Sequence, residues 1–418
     1  MDADLIPTSW EKRGNIITVV GVGGGGNNAV SYMYNLGLKD VDFVVCNTDL
    51  QALQKSPVPT KLQIGPVLTK GLGAGTDYIT GRKAAEESIE EIGKFFEGDT
   101  QMVFVTCGMG GGTGTGAAPL VAKMAKEKGK LTVGVVTVPF RDEGKEALYR
   151  AVEGIKELSK HVDSLLVIDN QKLYLLYGKM GLVKAFSKAD EVLATAVKSI
   201  AEIITSSGYI NVDFADVKKV MQNSGVAIMG IGEGEGEDRA TKAVEQALNS
   251  PLLNDLNLRS VKNALINITA SSDDEHGISM EELSQIMDYT SQYTGATINF
   301  KRGIVIDDSM GDKISVTIIA TGFEMWQLPV IDESEINRGN RIDVKYEKNL
   351  FRSRKKGRPI APDNGKLLNK RRVTGIPALI IDNVKLIKDL EDEPAYIRRE
   401  RMLNVKENKD SQEPQETE

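Results

Sequence analysis

The chain has 418 residues, 41% of them apolar, with a formal net charge of −7 and only two cysteines and two histidines. That length accommodates two or three domains with real cores, the acidic balance argues against a basic face that binds nucleic acid, and Cys46 and Cys107, with no CxxC pair, argue against a disulfide framework or structural zinc. With His161 and His276 alone, histidine-based acid–base or metal chemistry is disfavoured, and carboxylates, hydroxyls and backbone amides are left to carry the chemistry.

The opening stretch "MDADLIPTSWEKRG" has no apolar signal core, and no later run approaches the roughly 18 uninterrupted apolar residues of a membrane span. The expectation is a cytoplasmic protein, in a reducing compartment, with no direct membrane insertion. From residue 15 short apolar runs alternate with helical segments: "NIITVVGVG" (15–23), "VDFVVCNTD" (41–49), the helix-like 82–97, "MVFVTCG" (102–108), "LTVGVVTVP" (131–139) and "DSLLVIDN" (163–170). Alternating β and α units of this length predict a mainly parallel α/β sheet covered on both faces, with ligands bound outside the carboxyl ends of its strands.

Residues 181–206 carry an apolar stripe wider than a surface helix needs, including Leu182, Val183, Phe186, Val192, Leu193, Val197 and Ile200, which predicts a central helix packed on more than one side. A smaller α+β domain follows over 224–323, with strand-like runs at 263–270, 295–306 and 314–323 around a helical segment. Beyond Phe323 the composition turns basic and polar, with Arg352, Arg354, Lys355, Lys356, Arg358, Lys370, Arg371 and Arg372 among few large apolar residues, as in a disordered linker. Apolar residues return over 378–403, as a docking peptide or as a helix packed back onto the body.

Two glycine clusters carry the chemistry. "GVGGGGNN" (21–28) satisfies G-x-G-x-x-G, a weak signal compatible with a dinucleotide-binding turn and an NAD-dependent dehydrogenase, with Asp49 as an acidic partner. "CGMGGGTGTGAAP" (107–119) is a second, richer cluster between a strand and a helix, which such an enzyme does not need. Bare backbone lets successive N–H groups converge on an anion, the following helix adds the positive end of its dipole, and Thr113 and Thr115 add hydroxyls. Two such turns at one sheet edge can hold a polyphosphate from both sides. There is no G-x-x-x-x-G-K-[ST], which disfavours a P-loop nucleotidase.

With "GVGGGGNNAV" (21–30), "NTDLQAL" (47–53), "GLGAG" (71–75), "GGGTGTG" (110–116) and "NVDFADV" (211–217), residues 15–323 resemble the tubulin/FtsZ family, and within it the FtsZ branch. The resemblance implies a Rossmann-like GTP-binding domain over 15–180, a central helix over 181–206, a catalytic loop and helix over 207–223, and a smaller domain over 224–323. It also implies an N-terminal extension (1–14), a flexible linker (324–384), a partner-docking peptide (385–403) and a polar tail (404–418). GTP or GDP would be bound by Gly24, Gly25, Gly26, Asn27 and Asn28, by Asn47 and Asp49, by Ala74 and Gly75, and by Gly110, Gly111, Gly112, Thr113, Gly114, Thr115 and Gly116. Glu143 would contact the ribose, and Asn170, Phe186 and Asp190 the guanine. Mg²⁺ would be held mainly through the nucleotide phosphates, with no metal site of the protein's own.

Phe186 and Asp190 lie four apart on the predicted helix and so share a face, on which an aromatic can stack on a base and a carboxylate accept from it; ordinary core packing of Phe186 is the alternative. Asp213 and Asp216, alone, read equally as helix-capping residues. The family resemblance makes them, with Asn211, catalytic groups that enter the nucleotide site of the next subunit, so that self-assembly into a head-to-tail homopolymer activates GTP hydrolysis. It further implies a cytokinetic ring at mid-cell and membrane-anchoring division partners of the FtsA or ZipA kind bound through "DEPAYIRRE" (392–400). Another tubulin-like filament GTPase, as in plasmid segregation, is the alternative within the family. Two departures from its pattern stand out: Ala147 where a basic residue is usual, with Lys145 and Arg150 nearby as substitutes, and Thr76–Asp77 in place of Asn-Pro.

Overall fold

The apolar runs form strands that lie side by side in a computed structural model, which describes residues 14–177, 180, 182–205, 213–250, 252–253, 261–273, 276–294 and 299–323. Strands β1 (Ile17–Val22), β2 (Val41–Asn47), β3 (Thr60–Gln63), β4 (Met102–Gly108), β5 (Leu131–Val138) and β6 (Ser164–Asp169) are parallel, in the order β3-β2-β1-β4-β5-β6. Every residue of β1 and of β5 is buried, the pattern of strands covered on both faces, which is why their sequences are continuously apolar and do not alternate.

The connections supply the cover: α1 (Gly23–Asn35), α2 (Leu50–Lys55), α3 (Pro66–Thr69), α4 (Tyr78–Glu87), α5 (Ile89–Lys94), α6 (Thr113–Glu127), α7 (Lys145–Ser159) and α8 (Asn170–Tyr177). The helix read over 82–97 is two. Asp77 caps α4 by accepting from the Ile79 and Thr80 amides. The chain then breaks at buried Ser88, whose hydroxyl accepts from the Gly65 amide at 3.1 Å and so anchors α4–α5 to the turn before α3.

The central helix α9 (Leu182–Thr205) packs on α1 and β5 and, on its other side, on β8 (Asn263–Ala270) and β9 (Asn299–Ile306). Two-sided burial accounts for its broad apolar stripe. Fully buried large side chains such as Phe104, Met33 and Leu193 sit in these layers, each contributing about 1.5–3 kcal/mol by leaving water. After α10 (Phe214–Met221), β7 (Gly225–Gly234) pairs in parallel with β6 through Ser164↔Gly225, Leu165↔Val226 and Leu166↔Ala227. The order then runs β7-β10-β8-β9, with β10 (Ile314–Phe323) antiparallel to β7 and β8. The two halves thus share one sheet of ten strands among the described residues. Asp163 latches the seam: its carbonyl accepts from the Ser224 amide (2.8 Å) and its buried carboxylate from the Thr132 amide (2.9 Å).

Helices α11 (Arg239–Leu248) and α12 (Met280–Thr294) cover the second half. Buried Arg239 ties them by donating to Glu282 Oε1 at 2.7 Å and to the Asp312 carbonyl at 3.0 Å. The linker, docking peptide and tail expected after Phe323, and the N-terminal extension up to Arg13, lie outside the described residues. No described helix is long and apolar enough to cross a membrane.

Candidate functional site

Both glycine clusters fall at the carboxyl edge of the parallel strands, and they are pressed together backbone against backbone. A Cβ on Gly23 would stand 2.7 Å from the Gly114 nitrogen, one on Gly25 3.1 Å from Gly108, and one on Gly26 would overlap the Thr106 carbonyl oxygen. Side chains here would force β1–α1 and β4–α6 apart, which is the physical reason for the composition. Above this seam the surface is open: Gly24 and Gly111 are exposed, and nothing lies within 4 Å of where their Cβ atoms would be. A concavity floored by glycine amides and by the first turn of α6 fits the phosphates of a nucleotide.

Hydrogen bonds freeze the loops. Thr48 and Thr113 share a hydroxyl contact of 2.7 Å, joining the β2 edge to the β4–α6 turn. Thr115 is buried, and its hydroxyl accepts from the Gly110 amide at 2.9 Å. Arg150 on α7 donates from Nε to the Gly110 carbonyl at 2.8 Å. Asn27 is buried, and with its amide turned to satisfy its neighbours the nitrogen donates to the Gly21 and Gly23 carbonyls at 3.0 Å and the oxygen accepts from Asn47 Nδ2 at 3.3 Å, while Asn28 is exposed. Asn47 Oδ1 in turn accepts from the Asp49 amide at 3.3 Å, and Asp49 caps α2 by accepting from the Gln51 and Ala52 amides.

The 71–77 loop packs against the same edge. Its Gly71 carbonyl accepts from the Leu50 amide at 3.2 Å, and the buried Ala74 methyl is the nearest neighbour of any Cβ built on Gly112, at 3.0 Å. Gly75 is exposed, and the next residue, Thr76, has φ +65°, a left-handed conformation that a β-branched side chain resists and that asparagine tolerates. Between β5 and α7, exposed Glu143 folds back so that Oε1 accepts from the Phe140 amide at 2.8 Å, shaping the turn at the edge of the concavity.

Helices α1 and α8 both pack on α9. Asn170 opens α8, is buried, and its Oδ1 has no hydrogen-bond partner, an acceptor awaiting a donor. Burial pushes the Asp190 carboxyl up from 3.8 to about 6. Tyr32 of α1 is raised by burial and then by the nearby charges of Glu191 and Asp190. A buried carbonyl oxygen without a partner and a carboxyl raised by burial suit the N1–H and exocyclic amine of guanine. Phe186 stands one turn before Asp190 on α9, its side chain outside the described set.

The remaining pair is elsewhere. Because the first residues of β7 pair with the first residues of β6, α10, which leads into β7, sits at the amino edge of the parallel strands, opposite the glycine loops. Asp213 is the N-cap of α10, yet its side chain makes no cap hydrogen bond and is exposed. Asp216 is held by Lys301 of β9, Nζ to Oδ1 at 2.7 Å. Asn211 lies outside the described residues. Sequence reasoning did not find Lys301 or Thr48, and it left open whether Arg150 reaches the site. It also passed over a set of exposed apolar side chains beside the phosphate loops: Leu50, Val67, Leu68, Leu72 and Ile79, with Val67 79% and Leu72 83% exposed.

Comparison with known proteins adds an independent line. Residues 16–178 match the tubulin/FtsZ family GTPase-domain model, and 225–324 match the FtsZ family C-terminal-domain model. The cell division protein FtsZ of Porphyromonas gingivalis is 42% identical over 413 residues, covering 95% of this chain and 89% of that protein. Its counterpart in Pseudomonas aeruginosa is 49% identical over 308 residues, covering 73% and 77%. Among solved structures, an empty FtsZ dimer from M. jannaschii superposes with a TM-score of 0.70 at 44% identity over 75% of this chain and 89% of that one. A GTPγS-bound CetZ2 protofilament from Haloferax volcanii, 21% identical with a TM-score of 0.66, shares the fold.

Proposed function

The chain belongs to the tubulin/FtsZ family, and from that premise we propose that it is a GTPase which polymerises head to tail into the cytokinetic ring of the bacterial division site and hydrolyses GTP between subunits. The observation that carries this reading is the separation of binding and catalysis. The glycine loops lie at the carboxyl edge of the sheet, and Asp213 and Asp216 lead into β7 at its amino edge. The α9 helix alone runs 15 residues from Asp190 to its end at Thr205, about 22 Å at 1.5 Å per residue. A subunit's own aspartates are therefore far from its own phosphates, while a copy stacked head to tail brings its amino edge to the carboxyl edge of the next. Such a contact does not close on itself and extends as a filament.

In this reading the amides of the β1–α1 and β4–α6 loops hold the α-, β- and γ-phosphates, and Asn170 and Asp190 select guanine, with Phe186 stacking on it. Mg²⁺, held mainly through the phosphates, would supply positive charge that offsets the charge developing on them. The incoming Asp213 and Asp216, with Asn211, position and polarise the attacking water, which is most of what phosphoryl transfer asks of a protein. The exposed apolar set Leu50, Val67, Leu68, Leu72 and Ile79, ringing the phosphate side, is surface that a subunit contact would cover. Residues 392–400 would dock membrane-anchoring partners of the FtsA or ZipA kind.

Phosphate release and light scattering on adding GTP and Mg²⁺, across a range of protein concentration, test the reading. Turnover per subunit should rise with concentration, and Asp213→Ala should keep GTP affinity and assembly while losing turnover. Hydrolysis independent of concentration, or undiminished in that variant, refutes catalysis between subunits.

A further inference from the structure

We propose that Arg150 is a positioning residue for the nucleotide's phosphates: through the Gly110 carbonyl it sets the Gly110–Gly111 peptide so that the Gly111 N–H faces the ligand. This rests on the guanine-nucleotide reading above and adds to it a role for a residue that lies outside the glycine-loop motifs.

The geometry starts from a close approach. A Cβ on Gly110 would lie 2.9 Å from the Ala147 carbonyl oxygen, so α7 is pressed against the β4–α6 loop. Ala147, buried and without a long side chain, leaves the loop free to settle on the helix there. Residues three apart share a helix face, so this contact brings Arg150 to the same loop, where Nε donates to the Gly110 carbonyl at 2.8 Å. In a trans peptide the C=O and N–H of one unit point to opposite sides. With the Gly110 carbonyl drawn toward α7, the Gly111 N–H is directed away from it, toward the open side, where Gly111 is exposed and nothing stands within 4 Å of its Cβ position.

The loop cannot easily turn out of this arrangement. Gly110 is in the left-handed region at φ +98°, and both of its backbone groups are engaged, the amide with Thr115 Oγ1 at 2.9 Å and the carbonyl with Arg150. The guanidinium stays charged at any working pH, and a cation on the carbonyl polarises the peptide, which makes the Gly111 N–H a stronger donor. Where the family places a basic side chain at position 147, this chain has a cation one turn later, holding the backbone of the phosphate loop.

The test compares guanosine, GDP and GTP binding to the full chain and to Arg150→Ala and Arg150→Lys. The expected result for Arg150→Ala is about tenfold weaker GDP and GTP binding, equivalent to about 1.4 kcal/mol, with guanosine affinity within about twofold of wild type. Arg150→Lys, whose ammonium can donate to the same carbonyl, should recover most of the loss. If Arg150→Ala loses its cooperative melt, Arg150→Met keeps the stem without a donor and makes the same comparison. Unchanged GDP affinity, an equal loss for guanosine, or no recovery by lysine overturns the inference alone. Wild-type protein that binds neither GDP nor GTP overturns the parent reading and this inference with it.

Discussion

Asp190→Asn offers the sharpest test of the base pocket. Burial raises the Asp190 carboxyl from 3.8 to about 6, roughly two units at about 1.4 kcal/mol each, so the ionised form costs the empty protein on the order of 3 kcal/mol. The folded-state value lies above the unfolded one, so the cost is absent below the unfolded value of 3.8 and complete above about 6. The empty protein should therefore lose stability through this group as pH rises across that window, and Asp190→Asn should stabilise it near neutral pH, by up to about 3 kcal/mol, and leave it unchanged near pH 4.

Nucleotide reverses the balance. The guanine N1–H and exocyclic amine both donate, and an ionised carboxylate accepts both, so binding favours the charged form. Wild-type GTP affinity should be full above about pH 6 and fall below it, by at most about tenfold per unit. Asparagine accepts one hydrogen bond and turns a donor toward the amine. Losing a charge-assisted bond and leaving a donor facing a donor costs about 2–3 kcal/mol, or roughly a hundredfold in GTP affinity. Xanthine presents a carbonyl where guanine has the amine, so the variant should bind XTP better than GTP. Titration calorimetry with both nucleotides at neutral and mildly acid pH, and urea melts of the empty protein, read both effects. A wild-type GTP affinity flat through pH 6, or a variant that keeps GTP preference, refutes the placement of Asp190 on the base.

Other outcomes follow from single contacts. Lys301→Ala removes a half-exposed ion pair worth at most about 1 kcal/mol, so its melting temperature should barely move, while phosphate release by assembled protein falls as Asp216 loses its tether. Thr76→Asn relieves a left-handed β-branched residue and should raise stability by about 1 kcal/mol in urea unfolding. Gly116→Ala drives a methyl into the Tyr78 carbonyl and within 2.6 Å of the Arg82 nitrogen; separating α4 from α6 should cost about 3 kcal/mol or more, seen as a lower urea midpoint.

Much of this fold can be read from the chain. Strands β8 and β10 match the apolar runs 263–270 and 314–323 residue for residue, because buried strands leave little room for polar residues. Strand β7 escapes such a reading because it carries Gly230, Gly232 and Gly234, which weaken a strand pattern. Their reason is tertiary: α11 lies so close that a Cβ on any of them would overlap its backbone. The glycine loops announce an anion site by composition, whereas Asp190 gains meaning only from the resemblance and from its burial. Arg150 and Lys301 are ordinary surface cations in sequence, and only the folded chain brings one to Gly110 and the other to Asp216.

The placement of groups on opposite sheet edges also fixes how activity should depend on assembly. The glycine loops are braced without any partner, since Thr48–Thr113, Thr115–Gly110 and Arg150–Gly110 are contacts within one chain. Binding should therefore be a property of the single subunit, measurable at concentrations too low for assembly. On the proposed reading catalysis is different, because Asp213 makes no cap bond within its own helix and leads into β7 at the sheet edge opposite the glycine loops. At concentrations too low for assembly, turnover comes from rare encounters, so specific activity rises in proportion to concentration. Once filaments form, every internal site is completed and specific activity levels off. Removing the apolar side chains around the phosphate loops, as in Val67→Ser or Leu72→Ser, should then shift that plateau to higher concentration without changing GTP affinity, which separates the contact surface from the pocket it encloses.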